Sequence, residues 1–238
     1  MNILDIINTQ DHRPWPLPNS PWKFYQEWND VIFLHWQVDL QDLRPFVPKS
    51  LEIDLYEGKP WVSVVAFTMD HIRPRNLPAF PPVSTFYEVN IRTYVKVNNT
   101  TGVYFLSIEA CKRVSCFIAR TMSALPYRHS KINRSASTLL STNATFNDTL
   151  EIAFNVKQEI TNKTAIDNWL TERYALMQDE KSTLNQFDIH HLEWPLHQID
   201  ISHLNINYDR YGALLKGRPN QTHYSKGVQV LAWGKQKL

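Results

Sequence analysis

Apolar and polar residues alternate with a repeat of two through much of this chain. The alternating segments are rich in Val, Ile, Phe, Tyr, Trp and Thr, the residue types that fit a pleated sheet. They predict strands at residues 31–36, 51–55, 60–71, 85–97, 102–110, 145–160, 187–192 and 228–233. Gly and Asn lie between consecutive segments at 55–59 and 97–102, as in hairpin turns. Antiparallel pairing of the flanking strands follows.

Helical signals are fewer and shorter than strand signals. They predict helices at 39–46, 114–125 and 164–170, the last beginning with a capping box in which Thr164 is paired with Asp167. The sequence therefore predicts a mainly β (α+β) fold, with one β-barrel-like domain over residues 1–238 and a few short peripheral helices. A chain of this length can form one large barrel domain.

Composition and charge narrow the classes of partner. The 25 basic and 23 acidic residues leave a formal charge of +2, too small a field to attract nucleic acid or an anionic membrane. The first residues lack the basic start and apolar stretch of a signal peptide, and no apolar segment approaches the roughly 20 residues that span a bilayer. We expect a cytoplasmic protein without nucleic-acid or membrane partners, in which the two cysteines are free thiols.

The strand predicted around residues 86–95 carries the most informative polar pattern. Its alternation places Glu88, Asn90 and Arg92 on one face, between the aromatic rings of Phe86 and Tyr94. This face is either a solvated outer surface with a weak charge pair or the inside of a barrel that holds a small ligand. In the second case Arg92 would supply a forked hydrogen-bond donor for a carboxylate or phosphate, and Glu88 would either fix that fork or accept a proton from the ligand.

A second group of polar residues follows the predicted helix at 114–125. Beyond Pro126 the chain becomes strand-like, so Tyr127, His129 and Lys131 could share one face. They lie either at a solvated strand edge or on the same cavity as Glu88 and Arg92.

Known cofactor and metal motifs are missing from the sequence. Of the nine histidines, His191 and His197 lie near Glu193, but the chain has no HExxH motif, cysteine pair or EF-hand loop that would complete a metal site. GxSxG, GxGxxG and GxxxxGK[ST] motifs are also absent. We predict neither a metal nor a cofactor.

Six segments, in order and over most of the chain, resemble the YqjF-like family, also called DUF2071. They are WVSVVAFTMDHIRPR, FYEVNIRTYV, TGVYFLSIEA, LPYRHSKI, LTERYALM and HYSKGVQVLAW. This family is similar to the acetoacetate decarboxylase-like fold, a β-barrel with a central cavity and short outer helices. The resemblance implies that fold for this chain.

The resemblance also implies roles for particular residues. Glu88 matches the glutamate of the decarboxylase Tyr-x-Glu strand motif, and Arg120 matches the arginine of a helix that leads to a pair of lysines in those enzymes. Here Tyr127 and Arg128 stand at the lysine positions, and neither can form an imine. Whether Lys131 or Lys112 faces the cavity is left open.

Three hypotheses about function follow. The first is a barrel that binds a small organic molecule, anionic or aromatic, without the Schiff-base lysine. The second is an enzyme of unknown reaction, a lyase, isomerase or hydrolase acting on a small organic acid, in which Glu88 is the base, Tyr127 or His129 is the acid and Lys131 is a further candidate. The third is a partner-binding protein with an exposed tryptophan patch; assembly into a homo-oligomer stays open. The predicted ligand-binding residues are Phe86, Glu88, Asn90, Arg92, Tyr94, Arg120, Tyr127 and Arg128.

Overall fold

The computed structural model describes residues 2–117, 125–180 and 183–238, and these are mostly β-strand. The strands are β1 (Phe24–Gln37), β2 (Glu52–Ile53), β3 (Trp61–Pro74), β4 (Phe86–Val97), β5 (Thr100–Ala110), β6 (Tyr127–His129), β7 (Lys131–Arg134), β8 (Thr138–Asn143), β9 (Asp148–Glu159), β10 (Ala175–Glu180), β11 (Thr183–His190), β12 (Leu196–Asn207), β13 (Gln221–Ala232) and β14 (Gln236–Lys237). The predicted mainly β class is confirmed.

The helices are short; the first precedes β1, and the others lie between strands. They are α1 (Ile3–Asn8), α2 (Leu40–Leu43), α3 (Pro81–Ser84) and α4 (Ala165–Thr171), with 3-10 turns at Arg44–Phe46 and Asp209–Tyr211. Residues 113–117 are also helical, and the remainder of the helix predicted at 114–125 falls mainly outside the described residues. The capping box predicted at the start of α4 is present. None of the helices in the described part of the chain has the length and apolarity needed to cross a membrane.

Seven strands form a closed ring. Its order is β1, β3, β4, β5, β10, β11 and β13, and β13 pairs back to β1. All neighbours are antiparallel except β5 and β10, which pair in parallel. At that junction a side chain on Gly102 would lie 2.6 Å from the carbonyl oxygen of Ala175, so only glycine allows the two strands to approach this closely. The ring is the barrel that the alternation predicted.

A second sheet covers part of the barrel's outer surface. Strand β12 pairs briefly with β13 and continues the sheet through β9 and β8 to β7. Ile152 and Phe154 of β9 belong to the same buried cluster as Val89 and Ile91 of β4. Strand β4 is therefore buried on both faces, and the alternative of a solvated outer face for this strand is wrong.

Several strands were not predicted from the sequence. Strand β10 has the sequence ALMQDE, which contains no β-branched or aromatic residue. Its conformation follows from pairing with β11 and β5 rather than from local propensity. Strands β8 and β12 were also missed, and both belong to the outer sheet.

Candidate functional site

The barrel contains a cavity of about 190 Å³ to which all seven strands of the ring contribute. A cavity of about 150 Å³ is large enough to hold a benzene ring in another protein. Most of the lining is aromatic or aliphatic, and it includes Trp28, Phe33, Phe67, Phe105, Leu176, Phe187 and Trp194. The space and its walls suit a small molecule with an apolar body.

One polar group in the cavity is centred on Glu88, which is 3% exposed. Its carboxylate accepts a hydrogen bond from the Tyr127 hydroxyl at 2.9 Å and one from Asn90 Nδ2 at 3.2 Å. Burial raises the pKa of Glu88 to about 7, although both hydrogen bonds act in the opposite direction. The carboxyl group can therefore hold or release a proton near neutral pH. Asn90 Oδ1, which is buried, has no hydrogen-bond partner.

Arg92 forms a second polar feature of the cavity. Its side chain is buried, its Nη2 donates one long hydrogen bond of 3.5 Å to the carbonyl of Leu170, and its Nε has no partner. The guanidinium carbon lies 5.8 Å from the centre of the Phe33 ring. Burial lowers the pKa of Arg92, but a guanidinium stays charged in proteins.

The expected pairing of Glu88 with Arg92 is wrong. The ion pairs of the described residues do not include one between these side chains. Four residues along a strand span about 13 Å, which places the two groups at different depths of the barrel. Arg92 is therefore a buried charge without a carboxylate partner in the described part of the chain.

Arg173, which was not predicted from the sequence, also lines the cavity. Its Nη1 lies 2.6 Å from Asp54 Oδ2 and its Nε donates to the carbonyl of Trp169 at 2.8 Å. Its Nη2 is buried and has no hydrogen-bond partner. Asp54 compensates the charge of Arg173, so the charge of Arg92 remains in excess.

A buried chain of polar side chains holds α4, which precedes Arg173. His223 Nε2 lies 2.9 Å from Asp167 Oδ1, and His223 Nδ1 lies 3.3 Å from His35 Nε2. His35 Nδ1 in turn lies 2.6 Å from Ser63 Oγ. Burial lowers the pKa of both histidines. Because Asp167 lies on α4 and His223 on β13, this chain fixes the helix that ends beside the cavity.

Phe86 and Tyr94, which were predicted to flank the polar face, are not part of the cavity lining among the described residues. Phe86 packs in an apolar cluster of the barrel. The Tyr94 ring lies 4.6 Å from that of Trp169 on α4, and its hydroxyl donates to the carbonyl of Leu170 at 2.9 Å. Helix α4 thus covers Tyr94, a tertiary contact that strand alternation cannot predict.

The segment around β6 contributes only Tyr127 of the four residues predicted there. Arg128 is half-buried outside the cavity, with its guanidinium carbon 4.1 Å from the centre of the Phe146 ring. His129 and Lys131 are exposed at the surface. For His129 and Lys131 the alternative of a solvated strand edge is therefore the right one: β6 ends at His129, and Lys131 begins a strand of the outer sheet.

Arg120 and Lys112 are two further residues that the sequence analysis considered in connection with the Schiff-base lysine. Arg120 lies outside the described residues. Lys112 donates to the carbonyl of Pro81 at 3.2 Å, and the described residues that line the cavity include no lysine.

Clustered metal ligands and exposed tryptophans would point to other kinds of site. Within residues 2–117, 125–180 and 183–238, no group of three or more His, Cys, Asp or Glu side chains could hold a metal ion. All eight tryptophans lie in these ranges, and none is among the exposed large apolar side chains. The exposed tryptophan patch on which the partner-binding hypothesis depended is therefore not found.

The ring, the outer sheet and the interior cavity define an acetoacetate decarboxylase-like fold. The structure matches an acetoacetate decarboxylase-like enzyme from Sphingomonas wittichii RW1 with a TM-score of 0.64 and 14% identity, over 92% of this chain and 94% of that one. It also matches the enduracididine biosynthesis enzyme MppR in complex with pyruvate, with a TM-score of 0.62 and 14% identity, over 94% and 93% of the two chains.

The chain belongs to the DUF2071 family, described as an uncharacterized conserved protein, whose sequence pattern matches residues 25–229. It is 36% identical over 227 residues to the uncharacterized protein YqjF of Bacillus subtilis (strain 168), covering 91% of this chain and 93% of that protein. The resemblance carried by the six sequence segments is confirmed.

Proposed function

We propose that the barrel interior binds a small organic molecule with an apolar or aromatic body. The observation that carries this proposal is the cavity of about 190 Å³, which combines aromatic walls with buried polar groups that lack partners. Cavities that bind small molecules are largely apolar and contain a few placed polar groups that fix orientation. Glu88, Asn90 and Tyr127 would orient a polar substituent, while the aromatic side chains pack on the body.

Two further observations bear on the proposal. The structurally similar enzyme MppR forms a complex with pyruvate, so a protein of this fold binds a small organic molecule in that case. In this chain the described cavity lining lacks a lysine, and Tyr127 and Arg128 stand at the lysine positions implied by the resemblance. The proposal is therefore binding without an imine step.

Filling the cavity tests this function. Val103 lies on β5, is 4% exposed and lines the cavity. In Val103→Phe the added ring occupies the ligand volume, so we expect affinity for small aromatic acids to fall at least tenfold. Trp28 and Trp194 also line the cavity, and their fluorescence reports binding.

Val156→Phe is the matched control, because Val156 is 40% exposed on β9, outside the cavity. Its affinity should equal that of the wild-type protein. If both variants bind equally well, the ligand lies elsewhere; if the wild-type protein binds neither the aromatic acids nor their neutral amides, the proposed function fails.

A second candidate function is proton transfer by Glu88. It is favoured by the Glu88 pKa of about 7, because general acids and bases work best with a pKa near the ambient pH. The Tyr127 hydroxyl, which donates to the Glu88 carboxylate at 2.9 Å, also favours it. Uptake of deuterium from D₂O by a bound keto acid, lost in Glu88→Gln with binding retained, would support this candidate. Uptake that persists in the variant would exclude Glu88 as the base.

A further inference from the structure

Arg92 and Arg173 place two positively charged side chains beside the cavity. Both side chains line it, and they are 8% and 5% exposed. Each has a buried guanidinium nitrogen without a hydrogen-bond partner. Among the described residues only Asp54 pairs with either of them, so two guanidinium groups share one carboxylate. Arg92 is left next to the cavity without a paired carboxylate.

A buried charge without an opposite charge beside it is costly, because desolvation removes its water and no ion pair replaces that hydration. Anion binding beside the two arginines would supply the missing charge and the missing acceptors. We infer that the ligand is a monocarboxylate whose carboxylate group lies against Arg92 and Arg173. This inference rests on the proposed function and adds the charge class of the ligand and the place where its charge binds.

The residues at the opposite end of the cavity explain why we expect a ligand with only one negative charge. Glu88 lies about 13 Å along β4 from Arg92, and its carboxyl group and Asn90 Oδ1 present acceptors there. A second carboxylate at that end would face the Glu88 carboxyl group. The body of the ligand would pack between the two ends, against rings such as Phe33 and Phe105.

Benzoate and benzamide test the inference by calorimetry, because they have nearly the same shape and differ in charge. We expect the wild-type protein to bind benzoate at least tenfold more tightly than benzamide. In Arg92→Met the preference should disappear while benzamide still binds, and Arg92→Lys, which keeps a point charge, should retain part of it. Arg134→Met is the control, since Arg134 is a half-buried arginine outside the cavity lining whose guanidinium contacts the backbone carbonyls of Ala66 and Asp30.

The outcomes distinguish failure of the carboxylate inference from failure of small-molecule binding as a whole. Equal affinity of the wild-type protein for both probes would overturn the carboxylate inference and leave small-molecule binding intact. A benzoate preference that survives in Arg92→Met would also overturn it. Binding of neither probe would overturn both.

Discussion

Replacing Arg92 with Met is expected to stabilise the ligand-free protein by about 2 to 4 kcal/mol. The buried guanidinium donates a long hydrogen bond of 3.5 Å to the carbonyl of Leu170, contacts the Tyr94 hydroxyl and has no carboxylate partner among the described residues, while the cost of desolvating an ion is several kcal/mol. Methionine keeps much of the volume of the stem and adapts to irregular space. Urea unfolding at pH 7.5 measures the change.

The same substitution at Arg173 should have the opposite sign. Arg173→Met breaks the 2.6 Å contact with Asp54 and leaves that carboxylate without its partner, which typically costs about 3 to 5 kcal/mol. The two arginines line one cavity, so the pair of variants separates the loss of an ion pair from the loss of an isolated charge. A comparable loss of stability in both would show that Arg92 is compensated in the native state.

Replacing Glu88 with Gln is expected to remove about 3 kcal/mol of pH dependence from the free energy of unfolding. The pKa of Glu88 is about 7 in the folded protein, against 4.5 as the ordinary value. Between these values the native state holds a proton that the unfolded state has released, so stability falls as pH rises. Each pKa unit corresponds to about 1.4 kcal/mol.

The measurement compares urea unfolding of the wild-type protein and Glu88→Gln at pH 4.5 and pH 8.5. The variant should gain stability relative to the wild-type protein as pH rises, because glutamine resembles the protonated carboxyl group. Glu159→Gln, which removes an exposed carboxylate of β9, is the control for a surface change. Parallel profiles for the wild-type protein and Glu88→Gln would show that the pKa of Glu88 in the native state equals its ordinary value.

The polar face of β4 could be predicted because strand alternation is a local property. Glu88, Asn90 and Arg92 line the cavity as the spacing indicated, and Tyr127 joins them from β6. Alternation also placed Phe86 and Tyr94 on that face, but packing by other elements separates both from the cavity. Alternation cannot predict which side chains of a strand are covered by a segment that is distant in sequence.

The position of Arg173 in the cavity lining could not be predicted from the local sequence pattern. It lies just after α4, in the LTERYALM segment that carried part of the family resemblance, yet its place in the cavity depends on parallel pairing of β10 with β5. Strand β10 lacks β-forming residues, so its pairing could not be predicted from its own sequence. Charge alone predicted a contact between Glu88 and Arg92. The contact is absent because the two side chains lie at different depths of the barrel.

A crystal of the protein soaked with 4-bromobenzoate will show whether the barrel interior holds a small organic acid. We expect an anomalous bromine peak inside the ring of seven strands, on the side of Glu88 and Tyr127, with the carboxylate against Arg92 and Arg173. An empty cavity at saturating ligand, or bromine bound only at the outer surface, would contradict it.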